Sequence, residues 1–315
     1  MKLVLILLVL VAVFWGATLW QAARQEARAL AEAPPLGRFV TVDGARVHIL
    51  QTGEGPDIVL IHGASGNMRD FTFDLVDRLS DRYRVTVVDR PGLGHSDRLD
   101  RDGATIFDQA DVLVEAVAQL GVTRPLVLGH SYGGAVALAW GTRHPDAAAG
   151  LILLSAASNP WDTPLSTYYQ VLSHPIGQRL AVPVLTAWVP DHVVTDAISG
   201  VFAPQPTPDG YAAHFGPGLT LQRRALRENA LQRASVLGEI QAMVPDYAQI
   251  DMPVEILHGD ADTTVWLSIH SEPLARQIAD ANLVVMQGVG HAPHHSEPET
   301  VTAAIDRAAR RAGLR

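Results

Sequence analysis

The sequence predicts an α/β fold: a mostly parallel, doubly wound sheet with helices on both faces and an inserted helical cap. Three observations carry that prediction. Short, continuously apolar runs such as "DIVLIHG" (57–63) and "AGLILLSA" (149–156) have no polar alternation, the mark of strands buried on both faces. Such runs alternate with segments of helical spacing, as repeated βα units require. The alternation stops between about 157 and 250 and then resumes.

The elements follow in order. "RFVTVDG" and "ARVHILQTG" read as a hairpin around Asp43-Gly44. "DIVLIHG" is a strand, "DFTFDLVDRLSD" (70–81) has helical spacing, and "YRVTVVDR" (83–90) is a strand. "TIFDQADVLVEAVAQLG" (105–121) is an amphipathic helix that Gly121 ends. "PLVLGHS" is a strand, "YGGAVALAWGTRHP" a helix and "AGLILLSA" a strand. The stretch 157–250 is rich in Pro, Trp and Tyr and carries helical pieces such as "LQRRALRENALQRA", so it reads as an inserted helical unit. After it come "PVEILHGDAD" (strand), "WLSIHSEPLARQIAD" (helix), "ANLVVMQGVGH" (strand) and "PETVTAAIDRAARRAG" (helix).

With 315 residues and 48% hydrophobic content the chain has material for a sizeable core. The net charge of −9, with no basic block beyond a short arginine-rich end, argues against nucleic acid as a partner. The chain has no cysteine, which excludes disulfides, thiolate catalysis and cysteine-based zinc sites. Residues 3–20, "LVLILLVLVAVFWGATLW", carry no charge. As a helix they reach roughly 27 Å, close to a bilayer core of about 30 Å. Trp15 and Trp20 stand where interfacial aromatics sit. The expectation is a single-pass anchor with the bulk of the chain outside the cytoplasm. A secreted protein after signal cleavage is the runner-up, and a buried core helix the third reading. The Ala31-Glu32-Ala33 cleavage candidate is distant from the apolar run and precedes Pro34. The expected organisation is a transmembrane anchor (1–22), a polar helical linker ended by Pro34-Pro35 (23–37), a first core part (38–156), the helical cap (157–250) and a second core part (251–315).

Gly129-x-Ser131-x-Gly133 places a serine where a predicted strand meets a predicted helix. This is the nucleophile-elbow pattern: the turn is strained, flanking glycines avoid a Cβ clash, and Oγ is pushed out above the sheet edge. The following helix N-terminus favours negative charge. The plainer reading is a glycine turn with an idle serine. A serine nucleophile needs a base, and the base an orienting acid. "LHGDADTTV" offers Asp260 and Asp262; "GVGHAPHHSEPE" offers His291, His294 and His295. Both segments follow predicted strands, where open parallel sheets build sites.

With "HGASGN" (62–67), "DRPGLGHSDR" (89–98), "GHSYGG" (129–134) and the pair "GDAD"/"GVGH" in order, the chain resembles the α/β-hydrolase superfamily over roughly residues 38–313. The resemblance implies Ser131 as nucleophile, Asp262 as acid and His291 as base. It also implies an oxyanion hole from the backbone N–H groups of Tyr132 and Ala64. Asp260 reads as a turn-stabilising carboxylate, His62 and His258 as structural, and His294 and His295 as surface or turn residues with no metal role. "DRPGLGHSDR" shapes a loop beside the pocket; no Gly-Lys-Ser/Thr follows its Gly92 and Gly94, so it is no phosphate cradle. Haloalkane dehalogenases and epoxide hydrolases of the superfamily use an aspartate nucleophile, which the serine at 131 sets aside. Trp161, Tyr168, Tyr169, Trp188, Phe202, Tyr211 and Phe215 are expected to line an apolar acyl pocket or to pack the cap. The implied activity is a cofactor-free carboxylesterase or lipase-like serine hydrolase acting on a small-molecule ester with a small to medium apolar acyl group. The same triad also serves C–C bond hydrolysis and perhydrolysis. The rivals of another class are a non-catalytic ligand-binding protein of this fold and a membrane scaffold.

Overall fold

The computed structural model describes every residue except Arg101. Its first element is α1 (Lys2–Glu32), a single helix that runs through both the expected anchor and the expected linker. Nothing in 21–32 interrupts it, because Gln, Ala, Arg and Glu are strong helix formers. Pro34 and Pro35 then bar continuation, since a residue before proline avoids the helical region.

Among the described residues one sheet holds the core, in the order β1-β2-β4-β3-β5-β6-β7-β8. β1 (Arg38–Val42) and β2 (Ala45–Thr52) form the expected hairpin, with Asp43 and Gly44 both at positive φ in its turn. β2 joins β4 (Arg84–Val88) antiparallel. From β4 onward every pairing is parallel: β3 (Asp57–Ile61), β5 (Leu126–His130), β6 (Gly150–Leu154), β7 (Val254–Gly259) and β8 (Ala281–Met286). In β3, Val59 and Ile61 join one hydrophobic cluster while Ile58 and Leu60 join the other. That division explains the unbroken apolar runs, because the inner strands β3 to β7 are covered on both faces, whereas the edge strand β8 is not.

The helices on the core are α2 (Arg69–Thr72), α3 (Leu75–Ser80), α4 (Ile106–Ala118), α5 (Tyr132–Arg143), and, after the insertion, α12, α13 and α14. α4 starts at a reciprocal cap: the Thr105 hydroxyl accepts from Asp108 N–H, and the Asp108 carboxylate accepts from Thr105 N–H. The helix expected over 70–81 is two pieces, broken at Phe73-Asp74; the break lets Asp70 and Phe71 turn inward. The helix expected over 266–280 is shorter, α12 (Ser271–Gln277). The preceding turn is fixed by the His270 ring, which accepts from the N–H groups of Ser158 and Asn159.

Between β6 and β7 the chain leaves the sheet and forms α6 (Thr167–Ser173), α7 (Pro175–Trp188), α8 (Asp191–Phe202), α9 (Tyr211–Phe215), α10 (Pro217–Thr220) and α11 (Arg223–Met243). This is the helical cap. α13 (Pro293–Ser296) and α14 (Pro298–Arg311) complete the chain. The parallel strands deliver Gly63-Ala64, Ser131, Asp262 and His291 just beyond their carboxyl ends, on one edge beneath the cap.

Candidate active site

Ser131 stands between β5 and α5 with φ 54° and ψ −118°, a conformation that costs an L-residue on the order of 1–3 kcal/mol. Its surroundings hold it there: its N–H donates to Leu154 O, and its carbonyl accepts from Gly134 and Ala157 N–H. A Cβ on Gly129 would stand 2.2 Å from Gly133 O, and one on Gly133 would stand 2.2 Å from Ile61 O. The glycine spacing is thus a requirement of close backbone approach.

Ser131 and His291 line one cavity of about 700 Å³ between sheet edge and cap. His291 Nδ1 lies 2.7 Å from Asp262 Oδ2. Asp262 Oδ1 accepts from the N–H groups of Thr264 (2.8 Å) and Val265 (2.9 Å). His258 Nε2 lies 2.7 Å from Val265 O and 3.2 Å from Asp262 Oδ2. Facing two acceptors, that nitrogen carries the proton, and His258 Nδ1 accepts from Ser271 Oγ at 2.6 Å. Burial by itself raises the Asp262 carboxyl; hydrogen bonds from His258 and His291 outweigh it and hold the group well below the usual carboxylate range. Asp262 is therefore ionised, and it fixes the His291 proton on Nδ1. His291 itself is pushed down from 6.5, first by burial and against the hydrogen bond to Asp262, so its ring is neutral near pH 7 with Nε2 free to accept. Asp260 instead accepts from Gly288 N–H at 2.6 Å, a turn contact.

Ala64 and Tyr132 also line the cavity. Neither backbone N–H donates to a protein acceptor among the described residues. The Ala64 loop is clamped from the cap: Asn229 Oδ1 accepts from Ser65 N–H at 2.8 Å, and Asn229 Nδ2 donates to Ser65 Oγ at 2.8 Å. From below, fully buried Arg90 donates to His62 O (2.9 Å) and Gly63 O (3.0 Å), and its guanidinium lies 4.3 Å from the Tyr132 ring centroid. His62 accepts from Arg90 N–H and is lowered to about 4 by burial, a neutral structural ring. Asp89, at the head of "DRPGLGHSDR", accepts from Met68 and His95 N–H and so joins that loop to the segment after β3.

His294 and His295 depart from the expectation of surface or turn positions. His294 is fully buried, and the His295 side chain is 1% exposed. Both turn inward from α13 onto Asp70 Oδ1, at 3.2 and 2.9 Å, which also accepts from Tyr211 OH at 2.7 Å. The three candidate ligand atoms lie within 4.8 Å of one another. Asp70 is raised by burial, but the three surrounding histidines outweigh that and leave it ionised; burial lowers His294 to about 3. His130 links this cluster to the first: its Nε2 donates to His291 O at 2.8 Å, and its Nδ1 lies 3.6 Å from Asp70 Oδ2. Sequence reasoning missed Asp70, Arg90, His130 and Asn229. The tandem His294-His295, three residues after His291, was the one available hint of an inward-facing turn.

Of the aromatic residues expected at the pocket, Tyr168, Tyr169, Phe202, Tyr211 and Phe215 line it. Trp161 and Trp188 do not. Trp161 packs beside His270, and Trp188 is half exposed with its Nε1 donating to Thr18 Oγ1 at 3.1 Å.

A model of the alpha/beta hydrolase family matches residues 58–304. The pimeloyl-[acyl-carrier protein] methyl ester esterase of Nitrosomonas europaea is 28% identical over 284 residues, covering 83% of this chain and 99% of the relative. An alpha/beta hydrolase fold protein from Burkholderia ambifaria superposes with a TM-score of 0.71 at 25% identity, over 86% of this chain and 97% of that one. A thermophilic esterase from Thermogutta terrifontis gives 0.69 at 24% identity, over 88% and 99%.

Proposed function

The chain belongs to the alpha/beta hydrolase family, and from that premise we propose that it is a serine hydrolase of carboxylic esters with small to medium apolar acyl groups. The observation that carries the reading is the neutral His291 ring, oriented by an ionised Asp262, sharing one apolar cavity with Ser131 on its strained turn. The similarity to a methyl ester esterase supports it. In this mechanism Ser131 attacks the ester carbonyl while His291 Nε2 takes its proton. Asp262 stabilises the imidazolium, and the N–H groups of Ala64 and Tyr132 receive the oxyanion. His291 returns the proton to the leaving alcohol, and water activated by the same ring then cleaves the acyl-enzyme.

Among the described residues one helix is long and apolar enough to cross a membrane, Lys2–Glu32. We read it as an uncleaved anchor, with the catalytic domain on the extracytoplasmic side. Two features support contact with a membrane. Residues Leu3–Val13 lie almost wholly exposed along an apolar run, and the outer cap surface beside the helix presents exposed Ile176, Leu180 and Trp188. The cap then rests on the bilayer.

The test is a p-nitrophenyl ester series from acetate to long acyl chains on the detergent-solubilised full chain, beside Ser131→Ala. Turnover that vanishes in the variant, with an optimum at short to medium chains, is expected. Folded wild-type protein that turns over no ester would refute the esterase reading.

A further inference from the structure

α11 carries Arg223, Arg224, Arg227 and Arg233, and three of them are engaged by the protein. Arg223 pairs with Glu26 at 2.6 Å, Arg224 donates to Gly94 O at 2.6 Å, and Arg227 donates to Gln178 O at 3.3 Å. Arg233 differs. It is partly buried and lines the cavity that holds Ser131, where it is the one lysine or arginine among the described lining residues. Its guanidinium stacks 5.5 Å from the Tyr169 ring centroid, and Tyr169 is itself part of the wall. None of its N–H donors meets a protein acceptor among the described residues. The other ionised group at the cavity, Asp70, is already held by Tyr211, His294 and His295.

Much of the rest of the cavity lining is apolar and includes Leu185, Val189, Val194, Ile198 and Leu226. A guanidinium on such a wall is poorly served by its surroundings. It presents a planar fork of donors that matches a carboxylate or phosphate. In a cavity of low dielectric that match is worth more than it would be in water.

We propose that Arg233 binds an anionic group of the substrate. The preferred esters are then amphiphiles, with an apolar chain along the cap and a carboxylate or phosphate at Arg233. This inference rests on the serine-hydrolase reading and names its substrate class.

Two matched pairs test it on the full chain. In the first, p-nitrophenyl octanoate is compared with the mono-p-nitrophenyl ester of octanedioate, which places a carboxylate at the acyl end. In the second, a monoacylglycerol is compared with its phosphate, which places the anion on the leaving group. The readout is the ratio of kcat/KM for the anionic over the neutral ester. A ratio above one in either pair is expected. It falls roughly tenfold in Arg233→Gln, the loss of one charge-assisted contact, and is partly kept in Arg233→Lys. The responding pair identifies which anion the site takes. No anionic preference in either pair, or a ratio unchanged in Arg233→Gln, overturns the proposal. Ser131→Ala run on the neutral esters keeps a failure of the hydrolase reading distinct from a failure at Arg233.

Discussion

In the mechanism proposed above His291 takes the proton of Ser131 only while its ring is neutral, so the pH profile reads the surroundings of that ring. Burial is the largest influence on that ring and lowers its pKa below 6.5; Asp262 works in the opposite direction. A base is lost when it protonates, so activity falls as pH drops through the pKa. The acid limb of kcat/KM is therefore expected below pH 6.5, and kcat/KM reports the free enzyme. In Asp262→Asn the carboxylate that raises the His291 pKa is gone. The limb moves further to the acid side while kcat falls by about 10⁴, because the amide no longer fixes the tautomer. A limb above pH 6.5 in the wild type would show that burial does not govern this ring. At this scale the sequence was most informative where backbone geometry demands a residue type at a fixed spacing, as in the turn Gly129-x-Ser131-x-Gly133. It was silent on Asp70 and His130, whose partners come from α2, α9 and α13, distant in the chain.

The elements divide by what determines them. The inner strands of the parallel sheet, β3 to β7, were legible because burial on both faces leaves an apolar run that no loop resembles. α4 was legible because its cap residues are local: Thr105 and Asp108 are three positions apart. The two overlong helix readings failed where tertiary contacts outweigh local spacing, at the inward turn of Asp70 and at the His270 ring bound to Ser158 and Asn159 N–H. The clamp from α11 to the loop after β3 was invisible for the same reason, since Asn229 and Ser65 are 164 residues apart. That clamp has a kinetic consequence. Asn229 touches neither reacting atom in the proposed mechanism; through Ser65 it would act there as a positioning residue for the Ala64 N–H. Loss of one oxyanion donor outright costs on the order of 10²–10³ in kcat. A loosened donor costs less, so Asn229→Ala is expected to lower kcat about tenfold with KM little changed. Asn229→Asp, which keeps one acceptor for Ser65 N–H, should recover part of it. An effect confined to KM or to thermal stability would remove Asn229 from the positioning of the loop.

At the scale of the whole molecule, the apolar helix and the catalytic domain are fastened together. Thr18, Ala22 and Ala29 of α1 are buried, Glu26 pairs with Arg223, and Arg28 pairs with Asp191 at the start of α8. Trp188, at the end of α7, is joined to Thr18, near the end of the uncharged run. α7 also presents Ile176 and Leu180, one turn apart and 60% and 51% exposed. Fully burying such a side chain is worth roughly 1.5–3 kcal/mol, which is large against a net stability of about 5–15 kcal/mol. On the anchor reading proposed above, a span fastened beside such a surface brings it to the lipid. Because the chain has no cysteine, Ile176→Cys, Leu180→Cys and Glu299→Cys each offer a single labelling position. With an environment-sensitive fluorophore on the full chain in vesicles, the first two are expected to show blue-shifted emission quenched by nitroxide-bearing lipid. The label at exposed Glu299, on α14, should remain in water. Blue-shifted emission without lipid quenching would assign the surface to a second copy of the chain. Water-like emission at positions 176 and 180 would hold the cap away from the bilayer, and a substrate drawn from lipid would then have to cross water to reach Ser131.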